Sequence, residues 1–493
     1  MSETTLAPSE TLGGARKLTL IDAVAQSIGF MGPVFSIAFL VPLLVGLNAS
    51  GKGAGVAAPL SVLIAAVGVL GLGWTVAQYA KRIHAAGSLY DYVTDGLGPR
   101  IGAASGFLYY TGIIALGAAI LVMVSGTAYD TLDAEFGIHP LPRLGWDLAL
   151  LVIVAVILYL GVALSTRAQL ALATVSLLVV LVFFVYVIAK VGSANDVATA
   201  FKPSSSPQGF SGVLFGVLYG VLLFTGFETS ANLGEETAHP KRDIPRAVLL
   251  SVVAIAGFYI VGAYAQVAGY HFSLHQIGKN AGAPLFGLAA PASDGGLGSV
   301  AVRRLVELVV ILDMIAVLIG CSVAASRGLF AMARDHRLPR PLAKVSRRGT
   351  PLVASGVVVA IYLVVIVLTR AWTGLFAQNG LPHYVAMFSW ASTYGSFALA
   401  VIYLLMSVGA LRGLQAYADP WKVWLACVVG IVVTGAAIFG SIYKVAAPIV
   451  WAPYAGIAVL IVGFLLTWVF RGQAPATTTF TELTKAEAGA VKL

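Results

Sequence analysis

Two short stretches of this chain place glycine beside groups that could hold a charged solute. Ile28, Gly29, Phe30, Met31 and Gly32 run into Pro33, and Phe224, Thr225, Gly226 and Phe227 run into Glu228. Proline removes an amide donor and glycine lowers the barrier to unwinding, so each stretch is expected to interrupt an apolar helix. Non-helical backbone at membrane depth is tolerated only when buried in protein or lining a wet cavity, and two interruptions therefore suggest one shared cavity. Exposed amides at a half-helix amino terminus attract a carboxylate, while freed carbonyls accept hydrogen bonds from an ammonium group. An α-amino acid carries both charges close together, which makes these residues the candidate solute-binding set. The alternative for Gly29, Gly32 and Pro33 is close packing or a simple kink, since both residue types are common in membrane helices.

Ionisable residues within apolar runs form the second candidate group. A charged side chain at the bilayer centre costs roughly 2.5 to 3.5 kcal/mol on insertion scales unless it is paired or wetted, which singles out Glu228 and Asp313. Asp313 reads as a structural hydrogen-bonding group or as a proton or cation site. Glu307, six residues earlier, lies on another helix face and is placed to meet Arg303 or Arg304. Asp22 reads as an amino-terminal charge. His271 and His275 have an i, i+4 spacing but lack a neighbouring glutamate or cysteine, so no metal is expected. Tyr109, Tyr110, Trp390 and Tyr394 suit either a solute path or ordinary packing.

The elements that must position these residues follow from composition. The 493 residues are 59% hydrophobic and only 10% charged, which excludes a soluble globular protein, where roughly a quarter is charged. A crossing needs roughly 20 apolar residues, so the length accommodates about a dozen. Apolar runs begin near Leu20, Val56, Ile101, Asp147, Ala168, Ser211, Ala247, Val302, Leu352, His383, Trp421 and Ile449. They lack the short alternation of membrane strands, so an all-α polytopic membrane protein is expected.

Net charge is +9, yet Lys and Arg are scattered in clusters between apolar runs, so nucleic acid is not an expected partner. With the amino terminus inside, one side holds Arg16, Lys17, Lys81, Arg82, Arg100, Arg167, Lys241, Arg242, Arg246, the cluster from Arg327 to Arg348, Arg412, Lys422, Arg471, Lys485 and Lys492. That excess predicts both termini in the cytoplasm, with the chain expected in the cytoplasmic (inner) membrane. Cys321 and Cys427 lie in apolar stretches and read as free core thiols. Residues 1–15 lack a signal-peptide pattern, so the first apolar run is expected to be retained. Neither a nucleophile–base cluster nor a metal-ligand motif appears in the spans, so an enzyme and a cofactor are not indicated.

Three separated stretches resemble the amino acid/polyamine/organocation superfamily of transporters. They are Ala86-Gly87-Ser88-Leu89-Tyr90 with Gly98-Pro99-Arg100-Ile101-Gly102, then residues 224–228 with Glu235-Glu236 and His239 through Ala247, then Ala325 through Asp335 with Leu338-Pro339 and Gly349-Thr350-Pro351. Their order and placement agree over roughly residues 18 to 470. The resemblance implies a LeuT-like inverted repeat of five plus five helices with two more at the carboxyl end, helices 1 and 6 broken, and alternating access around a solute held at both breaks. It places repeat one at about 18–192, repeat two at about 208–410 and the last two helices at about 420–471. The terminal segments 1–17 and 472–493 are expected to be cytoplasmic, the first of them disordered.

The chain departs from the family in two places. Phe30 and Met31 separate Gly29 from Gly32, where relatives often have a tight glycine–serine–glycine loop. Ser176 stands where many relatives place a lysine, so a fixed internal cation is missing. Ser322 and Ser326 offer oxygen ligands for sodium, although serines in membrane helices more often bond the preceding turn. Protonation of Glu228 is the preferred coupling route. The implied activity is secondary transport of an amino acid, proton-coupled or by exchange. The alternatives are a polyamine or other organic-amine carrier, and a non-transporting sensor or partner subunit, since fold alone does not establish transport.

Overall fold

Inside lipid, a continuous apolar run can satisfy its backbone only as a helix. The computed structural model describes residue 12 and residues 17–47, 51–280, 282–378, 381–443 and 445–469. Most of the segment expected over 1–17, the tail expected over 472–493, and Arg16, Arg471, Lys485 and Lys492 lie outside the described residues. The first half of the chain runs α1 (Leu20–Met31), α2 (Pro33–Val45), α3 (Ala58–Ala80), α4 (Leu89–Leu97), α5 (Pro99–Phe136), α6 (Arg143–Leu160), α7 (Val162–Val191) and the single turn α8 (Val197–Ala200). Then come α9 (Gly209–Leu223), α10 (Pro240–Gly269), two short helices α11 (Leu274–Lys279) and α12 (Pro284–Ala289), and α13 (Val300–Arg334). The chain finishes with α14 (Leu352–Ala371), α15 (His383–Gly413), α16 (Pro420–Ile442) and α17 (Trp451–Val469).

Among the described residues, 11 spans are long and apolar enough to cross a membrane, with α1 and α2 counted together, and α9 is a shorter apolar helix. The chain is an all-α, multi-pass membrane protein. Helix starts follow local chemistry more than hydropathy. α10 begins at Pro240 rather than near Ala247, because proline suits the first helical position and Asp243 favours the first turn.

Burial sorts the helices into layers. The spans of α1–α2, α5, α13 and α15 are mostly buried, whereas α6, α7, α14, α16 and α17 are mostly exposed. Their exposed side chains include Val182, Trp424, Trp468 and Val469, an apolar surface of the kind a bilayer covers. The first glycine-rich stretch and Asp313 thus sit on these inner helices, while the second stretch and the buried Glu228 follow the end of α9.

Candidate functional site

The first interruption is one residue wide. α1 closes at Met31, Gly32 takes φ +54° and ψ +65°, and α2 opens on Pro33. A side chain at Gly32 would strike a methyl of Val317, and a positive φ disfavours any residue with a Cβ. The amides that follow are already engaged. Val34 N–H and Phe35 N–H donate to Asp313 Oδ2 at 3.0 and 2.9 Å, and Ser36 N–H donates to Gly32 O at 2.8 Å. Asp313 on α13 therefore caps α2, where the partial positive charge of the helix end favours a carboxylate.

The second interruption is longer. α9 ends at Leu223, residues 224–228 form turns, and a 3-10 helix spans Thr229–Leu233. Gly226 has φ +105°, and a Cβ there would collide with the Phe30 ring. The two interruptions therefore touch, ring against glycine. Ser27 stitches them further: its hydroxyl donates to Phe227 O at 2.7 Å and accepts from Ser230 N–H at 3.2 Å. Leu223 O, at the end of α9, accepts the Tyr259 hydroxyl at 2.6 Å. Glu228 is fully buried, with Oε1 accepting from Tyr109 OH at 3.0 Å and Oε2 from Tyr403 OH at 2.5 Å.

The structure groups some of the sequence-derived residues and separates others. Residues 28–32 and 224–227 gather around the Phe30–Gly226 contact, with Gly29 packed closely against Gln169. Ser176 instead joins α7 to α13, donating to Val309 O at 2.8 Å. The Ser322 hydroxyl donates to Leu318 O at 2.7 Å and lies 3.1 Å from Tyr362 OH, and Ser326 donates to Val323 O at 3.0 Å. Both α13 serines thus bond the preceding turn. Glu307 meets Arg303 at 2.9 Å, and Asp22 accepts from Thr19 N–H at 2.9 Å and Thr166 OH at 3.1 Å.

Sequence reasoning passed over Tyr403, Gln26 and Gln169. Gln169 donates to Gln26 Oε1 at 3.1 Å and Gln26 donates to Gly320 O at 3.1 Å, a polar chain crossing α7, α1 and α13. The available signal was their position, polar side chains inside apolar runs.

At one end of the bundle the three family-like stretches converge. Arg327 clasps Glu236 with Nε and Nη2 at 2.7 and 3.1 Å, and Arg334 clasps Glu235 at 2.9 and 2.7 Å. Ala86 N–H donates to Glu235 Oε1 at 2.8 Å, and Tyr90 OH to Asp335 Oδ2 at 2.9 Å. Segments distant in sequence thus form one ionic cluster beside the second interruption. A family model described as amino acid permease matches residues 27–474. The chain belongs to the amino acid permease family. Among similar proteins, a branched-chain amino acid permease of Bacillus subtilis is 25% identical over 376 residues, 69% of this chain and 76% of its own length. A lysine-specific permease of Lactococcus lactis is 26% identical over 348 residues, 66% of each chain. Among solved structures, a manganese transporter of Eremococcus coleocola matches with TM-score 0.54 at 14% identity, covering 97% of this chain and 99% of that one. At that identity the likeness speaks for the fold alone.

Proposed function

We propose that this permease carries amino acids across the cell membrane by alternating access, with the solute held by backbone groups of residues 28–32 and 224–227. The observation that carries the reading is the contact between Phe30 and Gly226, which brings both interruptions to one point in the buried centre of the bundle. Two interruptions in the first and sixth helical spans also suit two repeats, at about 18–192 and 208–410. Relatives named for branched-chain amino acids and for lysine support an amino acid as solute. The distribution of Lys and Arg supports cytoplasmic termini.

Proton coupling or exchange is preferred to sodium, because the hydroxyls of Ser322 and Ser326 are directed to carbonyls of their own helix. A second reading, a carrier of organic amines without a carboxylate, is favoured by one observation: the first amides of α2 already hold the Asp313 carboxylate. Purified protein in liposomes is expected to accumulate or exchange at least one labelled amino acid. Absence of both across the standard amino acids, polyamines and ethanolamine would overturn transport, and preserved binding without flux would indicate a sensor.

A further inference from the structure

The amino terminus of α2 offers the amides that a solute carboxylate would seek, yet the protein supplies its own carboxylate there. Pro33 has no N–H, Val34 and Phe35 donate to Asp313 Oδ2, and Ser36 donates to Gly32 O. The first turn of α2 has no amide to spare. The same carboxylate is unevenly satisfied: Asp313 is fully buried, and its Oδ1 has no hydrogen-bond partner among the described residues.

The groups around it do not neutralise it. None of the ion pairs among the described residues involves Asp313. α2 carries no titratable side chain, and α10 presents the Tyr259 phenol, whose hydrogen is directed to Leu223 O. On the other helices packed against α13, Asp22 of α1 is held by Thr19 and Thr166, and Asp147 of α6 pairs with Arg370 of α14. Tyr109 of α5 is bonded to Glu228 beside the 3-10 turn, Glu135 of α5 pairs with Arg303 and Arg304, and Tyr362 of α14 lies on Ser322. Ser176 of α7 bonds Val309 O.

We propose that Asp313 couples proton binding to solute binding by competing with the solute carboxylate for the Val34 and Phe35 amides. Ionised, Asp313 holds both amides and keeps an anion out. Protonated, it carries no charge, the amides pass to the solute carboxylate, and the solute ammonium takes the freed carbonyls. Release on the far side returns the amides to Asp313, which gives its proton to water there. One proton thus travels with each zwitterion. The proposal rests on the reading of the two interruptions as the solute site.

The test compares, on the wild-type protein in detergent, binding of each standard amino acid and of its decarboxylated amine as a function of pH by thermal shift and titration calorimetry. Amino acid affinity is expected to fall by up to about tenfold per pH unit as Asp313 ionises, the limit for one linked proton, while amine affinity does not fall. Asp313→Asn keeps an acceptor for the two amides, and it is expected to bind amino acids with a flat pH profile and to lose proton-driven accumulation while retaining exchange. Equal pH slopes for amino acid and amine, or the wild-type slope in Asp313→Asn, would overturn the coupling role and leave the solute site standing. Binding of amines alone, abolished in Asp313→Asn, would overturn the site reading as well, because Asp313 would then be the ammonium partner.

Discussion

The two interruptions hold their carboxylates in opposite ways. At the second, both oxygens of Glu228 accept a phenol, from α5 and from α15. At the first, one oxygen of Asp313 takes two backbone amides and the other takes nothing among the described residues. The cost of burying a carboxylate is similar in both places. Its partners are not: phenols on scaffold helices would have to move with those helices, whereas amides at a helix end can be handed to another anion. The comparison teaches that an intramembrane acid is informative through its partners rather than through its depth.

The comparison breaks most sharply if the two interruptions do not meet. Gly226→Ala would force a Cβ into the Phe30 ring at a φ of +105°. Strain and overpacking together cost about 2–6 kcal/mol, and 2 kcal/mol alone corresponds to about 30-fold in rate. Uptake in proteoliposomes should therefore fall at least that far with the protein still inserted, and Phe30→Ala in the same chain should recover part of it. Uptake by Gly226→Ala equal to wild type would show that the ring and the glycine are not apposed in the working protein.

A smaller effect is expected at the other carboxylate. Glu228→Gln keeps the shape and loses charge-assisted bonds to Tyr109 and Tyr403, a loss of about 1–3 kcal/mol of stability. Thermal unfolding should shift downward, maximal uptake should drop severalfold, and the pH profile of uptake should keep the wild-type slope. A flat profile in this variant, together with an unchanged one in Asp313→Asn, would exchange the roles of the two acids.

Much of this architecture was legible beforehand, for physical reasons. Apolar runs of spanning length admit only helices, and the glycines and proline at positions 32, 33 and 226 marked where the backbone would depart from them, whereas Gly29 stays inside α1. Glu228 and Asp313 stood out by transfer cost alone. Their partners did not, because a hydrogen bond from Tyr403 to Glu228, or from Val34 to Asp313, spans 175 or 279 residues, and periodicity carries no information at that range. The reading that α2 would offer its amides to a solute also missed the cap, since a side chain from α13 reaches them only through tertiary packing. Ser176 stood out only through the family resemblance, and its bond to Val309 O joins two helices outside the contact of the interruptions.

The smallest effect sharpens the comparison from a third side. If coupling belongs to a carboxylate, the serines on the same helix should carry none of it. Each α13 hydroxyl donates to a carbonyl three or four positions earlier, at 2.7 Å for Ser322 and 3.0 Å for Ser326, a bond that slightly bends a helix and contributes little to its stability. Alanine at position 326 removes that donor and leaves a helical carbonyl still bonded by its own amide ladder, a change of about 1 kcal/mol or less, whereas alanine at position 322 also takes a partner from the buried Tyr362 phenol, about 1–3 kcal/mol of stability. Ser326→Ala should therefore leave uptake within about a factor of five of wild type, Ser322→Ala should lower thermal stability as well, and replacing sodium by choline at fixed pH should not alter accumulation in wild type or variants. Accumulation that collapses in choline, and in the serine variants alike, would move the coupling ion from the proton to sodium and the coupling site from the end of α2 to the face of α13.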